Sequence, residues 1–322
     1  MIGYDYIYNK VNAYIGSIEY TPEPENLYAP VKYVLGLGGK RIRPILMLMA
    51  YNLYKDDAEK ILPNAAALEI YHNFTLLHDD LMDRADMRRG NPTVHRKWGD
   101  NTAILSGDAM LIMAYRLFTE NNPNQSAIAT FNEATLGVCD GQQYDMDFET
   151  RSDVKEEEYI EMIRLKTSLL LACALKIGAQ LANASEEDAA NLYDFGEKMG
   201  LAFQLQDDLL DVYGNPEVFG KKIGGDILCN KKTFMLINAL QLANESDSER
   251  LKEWMEKTEF QPEEKISAVT AIYDAVDIKT QCINRIERYF EEALKSLEKV
   301  KVADEKKQVL RDFAHRLLNR KS

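Results

Sequence analysis

Between Pro123 and Pro216 the chain carries no proline, so nothing in that long interval forces a helix to stop. Apolar residues there and on either side recur at helical steps. In 65–83, AAALEIYHNFTLLHDDLMD, the positions Leu68, Tyr71, Thr75, Leu76 and Met82 are three or four residues apart or close multiples of that. The segment 186–214, EEDAANLYDFGEKMGLAFQLQDDLLDVYG, behaves likewise. It opens after the candidate N-cap Ser185 and closes at Gly214, Asn215 and Pro216. The last sixty residues alternate charged and apolar positions in amphipathic fashion. No Val/Ile/Thr alternation bounded by Asn-Gly or Asp-Gly turns is present, so strands are not supported. No linker, low-complexity tract or shift in composition divides the chain. The reading is all-α: one domain over residues 1–322, with a dozen or more helices.

Inside these helices stand two acidic boxes of identical spacing. HDDLMD (78–83) holds Asp79, Asp80 and Asp83; QDDLLD (206–211) holds Asp207, Asp208 and Asp211. Residues one turn apart share a face, so Asp79 projects with Asp83 and Asp207 with Asp211, while Asp80 and Asp208 sit about 100° round. Like charges at that spacing destabilise an isolated helix by a few tenths of a kcal/mol. One such box is as well explained by a solvated helix face. Two matched boxes, each following an apolar stretch (Phe74 to Leu77; Leu201 to Leu205), ask for cations. Oxygen ligands without His or Cys partners favour hard metals, and Mg²⁺ characteristically shares carboxylates with substrate phosphates.

Phosphates need basic counterparts, and these come in clusters. GGKRIRP (38–44) offers Lys40, Arg41 and Arg43; RRGNPTVH (88–95) offers Arg88 and Arg89 beyond the first box. RLKTS (164–168) sets Lys166 in an apolar helix, and 219–233 carries Lys221, Lys222, Lys231 and Lys232 beyond the second box. Each alone reads as a solvated patch; their placement beside the two boxes points to anion binding. The net charge of −13 and pI near 5.0 argue against nucleic acid as a partner. The four scattered cysteines form no CxxC pair, which suits a reduced compartment better than a disulfide or thiolate-metal protein. Asp5 interrupts any N-terminal apolar run of the signal-peptide type, and stretches such as LLLACAL (169–175) are too short to span a bilayer. A cytoplasmic protein without an integral membrane segment is expected.

Taken in order, GGKRIRP, HDDLMDRADMRRGNPTVH, GQQYD, LKT, FQLQDDLLD and GKKIGGD…NKKT resemble the motifs of the trans-polyprenyl diphosphate synthases, over residues from about 36 to 233. The resemblance implies an isoprenoid synthase-like fold, a single large helical bundle around a central cavity. It also implies a homodimeric prenyltransferase of isoprenoid biosynthesis, joining an allylic diphosphate to isopentenyl diphosphate with Mg²⁺. It assigns Asp79, Asp83 and Asp207 to three Mg²⁺ ions that grip the allylic diphosphate, with Asp80 and Asp211 acting behind them or through water. Arg88, Lys166, Lys221 and Lys231 add to that grip. Lys40, Arg43, His72 and Arg89 hold the diphosphate of isopentenyl diphosphate. Thr167 and Gln204 turn partial negative charge toward the allylic cation, and Asp145 of GQQYD orients the lysine and metal shell. Released diphosphate serves as the base. No role falls to His78 or His95, and Lys222 and Lys232 read as solvated neighbours.

Product length should be set along the helix before the first box. Thr75 is one turn before Asp79, Phe74 stands beside it, and Tyr71 lies two turns before Asp79, about 12 Å along the axis. The small Thr75 leaves room while Phe74 and Tyr71 form a floor. One aromatic five residues before the box resembles C20 synthases, and two adjacent aromatics would suggest C15. Geranylgeranyl diphosphate is therefore the first expectation and farnesyl diphosphate the second. A class I terpene cyclase would carry an Asn/Ser/Glu motif in place of DDLLD. A non-catalytic partner subunit would commonly have lost a box or a basic clamp. A calcium-binding helical protein leaves the ordered basic clusters unexplained.

Overall fold

A computed structural model of the chain describes residues 3–21, 23–214 and 223–318. The chain gathers into two compact units. The first comprises Met1–Phe131, Ala174–Ala190 and Val302–Val309; the second comprises Asn132–Cys173, Asn191–Lys301 and Leu310–Ser322.

In the first unit, α1 (Tyr4–Gly16), α2 (Glu25–Gly36), α3 (Ile42–Asn52) and α4 (Leu62–Met82) are followed by the short α5 (Val94–Trp98) and by α6 (Asp100–Glu120). The helix α4 is buried nearly all round, from Ala65, Ala66 and Ala67 through Leu68, Ile70, Tyr71 and Phe74 to Leu77, as a central helix must be. Its run of alanines lets neighbours approach closely, and α6 packs against it most extensively. An aromatic cluster closes one end of this packing. The Phe118 and Phe131 rings stack at 4.4 Å, and Tyr115 and Tyr71 meet Phe131 edge-on at 5.0 and 6.1 Å.

The expected absence of strands needs one correction. Met87–Arg88 and Asn91–Pro92 pair antiparallel. The turn between them places Arg89 and Gly90 at φ 52° and 73°, the left-handed pair that a tight hairpin requires. Two residues per strand are too few to show alternation, so the pattern could not reveal them.

The proline-free interval yields the two longest helices among the described residues, α7 (Gln125–Thr150) and α10 (Glu186–Tyr213). Ser185 does cap α10: its hydroxyl accepts from the Asp188 amide at 3.1 Å. Between α8 (Glu156–Ile163) and α9 (Leu169–Leu181), residues Arg164–Ser168 form a π-helical turn, where an uninterrupted helix was expected around Lys166. In the second unit, α11 (Gly225–Leu228), α12 (Phe234–Leu242), α13 (Glu245–Glu256) and α14 (Pro262–Ala275) lead into α15 (Ile278–Glu298). The α15 stripe Ile278, Cys282, Ile286, Tyr289, Ala293 and Leu297 follows the helical repeat and is buried. It joins Leu201, Leu205, Phe234 and Tyr273 in the core. No helix among the described residues is long and apolar enough to cross a membrane.

Phe131→Ala is expected to lower unfolding stability by about 3–5 kcal/mol, because a buried ring contacting three others leaves a cavity; urea denaturation measures this directly.

Candidate active site

The basic turn 38–43 is built by close approach. Arg89 donates through Nη1 to the Gly38 carbonyl. The φ of Gly39, 134°, favours glycine, and a side chain there would meet the Arg89 guanidinium at 2.8 Å and push it aside. Arg43 follows at the start of α3, and its Nε is buried without a hydrogen-bond partner. Burial, with Arg89 adding and Glu69 opposing, pulls Arg43 down to about 10. His72 on α4 is driven well below its usual value by burial and then by Arg43, Arg89, Arg88 and Arg41. It is therefore neutral at pH 7. Arg89 is lowered by burial and by Arg41 and Arg88, against Glu69. The structure thus brings together three of the expected anion-binding residues, Arg43, His72 and Arg89. Lys40 is exposed on the same turn. Arg41 does not join them: it turns inward to Glu69.

The first acidic box ends α4. Asp83 is the C-cap, its amide bonded to the Asp79 carbonyl at 2.9 Å, so the two side chains lie one turn apart as expected. Asp80 faces in, 5 % exposed. Arg88 reaches its Oδ1 with Nη2 at 2.6 Å and Nε at 2.9 Å. Burial raises Asp80 although Arg88 opposes the shift. Burial lowers Arg88, and Asp80, Asp79 and Asp83 more than compensate.

In the second unit the π turn sets the chemistry. Gly141 of α7 lies so close to the backbone of Lys166 that any side chain there would overlap it. Lys166 Nζ bonds Asp145 Oδ2 at 2.6 Å, one turn further along α7. Burial alone would raise Asp145, yet Lys231 and Lys166 outweigh it and hold the carboxylate low. Thr167 donates to Gln204 Oε1 at 3.1 Å, and Gln204 Nε2 donates to Asp208 Oδ1 at 3.1 Å. Tyr159 donates to the other oxygen of Asp208. Asp208 is 4 % exposed. Burial and then Asp226 push it up to about 7, against the Tyr159, Lys231 and Gln204 contacts. Asp211 accepts from the Asp226 amide at 3.0 Å, tying the box to the turn that leads to Lys231. Asp207 is half-buried on the same helix. Lys221 and Lys222 lie outside the described residues. Lys232, expected as a solvated neighbour, is partly buried, and burial lowers it.

Among the described residues no three His, Cys, Asp or Glu side chains stand close enough to hold a metal ion by protein ligands alone. The donors that the boxes do offer are carboxylates in pairs one turn apart. Such a set fits a Mg²⁺ ion that completes its shell with water and phosphate oxygens.

Of the expected floor residues, Tyr71 and Phe74 are buried and their rings meet at 5.5 Å. Phe74 also meets the His78 ring edge-on at 4.8 Å. Thr75 is partly exposed, its hydroxyl bonded to the His72 carbonyl at 2.8 Å. Sequence reasoning missed Tyr159 and Glu69. The register of Gln204 to Asp208, one turn apart, was a signal for the amide–carboxylate contact; nothing local marked Tyr159.

A sequence model of the polyprenyl synthetase family matches residues 24–273. A geranylgeranyl diphosphate synthase of Methanosarcina mazei is 43% identical over 235 residues, 72% of each chain. A short chain isoprenyl diphosphate synthase of Methanocaldococcus jannaschii is 40% identical over 261 residues, 80% of each. The crystal structure of a geranylgeranyl pyrophosphate synthase superposes with a TM-score of 0.94 at 45% identity, covering 100% of both chains.

Gly141→Ala is expected to cost about 1–3 kcal/mol, since backbone rather than a flexible tip must yield; a urea midpoint within error of the parent would contradict that approach.

Proposed function

The chain belongs to the polyprenyl synthetase family, and we propose that it condenses isopentenyl diphosphate with allylic diphosphates to an all-trans product ending at geranylgeranyl diphosphate. The observation that carries this reading is a division of charge. One part of the chain gathers guanidinium groups around a neutral histidine. Two other stretches gather carboxylates. Two diphosphates must be bound for condensation, and these are two ways of neutralising them.

Members of this family bind diphosphate through divalent metal. By resemblance, Mg²⁺ would be held by Asp79, Asp83 and Asp207, with Asp211 acting behind them or through water and Asp80 holding Arg88. When bound, the cations neutralise the charge that develops on the leaving diphosphate. By resemblance, Lys166, Arg88, Lys221 and Lys231 supply fixed positive charge to the same group. Lys166 can do so without drifting because Asp145 holds its ammonium.

Departure of diphosphate leaves an allylic cation. Gln204 donates its amide N–H to Asp208, which leaves its oxygen as the pole shared with Thr167. These dipoles stabilise positive charge. Lys40, Arg43, His72 and Arg89 hold isopentenyl diphosphate so that its double bond attacks the cation. The proton lost afterwards passes to the released diphosphate.

Thr75 supports a C20 product over C15, since a small residue stands beside Phe74 where a second aromatic would close the path. The buried Phe74 and Tyr71 pair supplies the floor. We further propose one catalytic domain, a cytoplasmic location and a homodimer. The exposed Ile104, Leu105 and Ile112 along α6 offer apolar surface that a second copy would cover.

Mass spectrometry of products formed from isopentenyl diphosphate and each of the C5, C10 and C15 allylic primers tests the reading. C20 from all three supports it; product from none, or cyclised hydrocarbon, overturns it. Asp79→Ala and Asp207→Ala should each lower turnover by at least about a thousandfold with the helical circular dichroism unchanged, and parental turnover in either would remove the metal assignment. Thr75→Phe should move the main product from C20 toward C15, read in the same product assay.

A further inference from the structure

Arg41 sits between Lys40 and Arg43 yet is only 3 % exposed. Its backbone takes φ 48°, ψ 36°, a left-handed conformation that residues with a side chain avoid unless their surroundings enforce it. The surroundings do so here. Nη1 donates to Glu69 Oε1 at 2.8 Å, Nη2 to the Leu35 carbonyl at 2.7 Å, and Nε to Asn12 Oδ1 at 3.1 Å. All three guanidinium nitrogens are thus committed to protein acceptors, on α4, at the end of α2 and on α1. Glu69 is 2 % exposed and also accepts from Asn73 at 3.2 Å. Its negative charge supports the protonated forms of Arg43 and Arg89, so the ion pair lies within electrostatic reach of both.

We propose that Arg41 is a positioning residue. Its fork on Glu69 holds the left-handed turn that separates Lys40 from Arg43 and that Arg89 meets at the Gly38 carbonyl. This rests on the assignment of Lys40, Arg43, His72 and Arg89 to isopentenyl diphosphate. Arg41 itself touches no substrate. A staple serving only stability would alter the melting temperature and leave substrate affinities alone, whereas a positioning staple alters the affinity for one of the two substrates.

The test is a double-mutant cycle on the full enzyme with both Michaelis constants measured. Arg41→Met and Glu69→Met each leave a buried polar or charged partner behind. The double variant R41M/E69M removes both charges and leaves only the neutral Leu35 carbonyl and Asn12 amide without their donor, and an apolar replacement of a buried ion pair is commonly tolerated. The double variant is expected to raise the KM for isopentenyl diphosphate about tenfold, with kcat and the allylic KM within about twofold. The single variants, where they fold, should match the double rather than multiply to it. Arg41→Lys should not restore affinity, because an ammonium lacks the fork. Asn12→Ala, which removes only the partly exposed contact, gives an independent reading at about threefold. An unchanged isopentenyl KM in both the double variant and Asn12→Ala overturns the inference, as does an equal rise in both Michaelis constants. Arg43→Gln separates the two layers. If it leaves the isopentenyl KM unchanged, the site assignment falls and the inference with it. If it raises that KM while R41M/E69M does not, the inference alone falls.

Discussion

Burial, with Arg43 and Arg89 close by, keeps His72 neutral, and burial draws the Arg43 guanidinium down to about 10. Arginine remains charged at any physiological pH even so, and positive charge gathered out of water demands an anion. Much of the first unit's local architecture can be understood as holding this arrangement. A glycine pair lets Arg89 approach the 38–40 turn. A two-residue hairpin carries Arg88 and Arg89 past the end of α4. The Arg41–Glu69 pair lies beneath. Removing any one of these would leave the cations in place chemically but not geometrically.

The acidic boxes show the complementary device. Each DDxxD box divides by helical geometry into a pair one turn apart and a middle residue facing elsewhere. The middle residues are used alike in kind and differently in detail. Asp80 holds Arg88, and Asp208 fixes the amide of Gln204 while accepting from Tyr159. The six aspartates of the two boxes are therefore partly a scaffold, in which the inward Asp80 and Asp208 orient groups around the outward four. The π turn at Arg164–Ser168 serves the same end by presenting Lys166 and Thr167 on consecutive residues, one to Asp145 and one to Gln204.

How much of this was legible in the sequence follows from what each pattern depends on. Helices α4 and α10 were readable because their periodicity, caps and proline limits are local, and their ends fall within a few residues of the expected bounds. The meeting of the 38–43 turn with Arg89 was readable from GGKRIRP beside RRGNPTVH. The inward course of Arg41 was not, because its three acceptors lie on elements distant in sequence. Tyr159 was missed for the same reason, meeting Asp208 from a different helix. The π turn left no composition signal, and the Gly141 backbone of α7 that lies against it is distant in sequence. Lys231 lies within electrostatic reach of Asp145, a contact that no spacing in the sequence indicated.

The central claim is that the two diphosphates are neutralised in different ways, one by guanidinium groups around a neutral histidine and one by metal on carboxylates. Isothermal titration calorimetry with and without Mg²⁺ tests it most directly. Isopentenyl diphosphate should bind with nearly the same affinity after the metal is removed with EDTA, while a non-reactive allylic diphosphate analogue should lose its binding by about a hundredfold or more. If both ligands depend on the metal equally, or neither does, the division of charge is wrong.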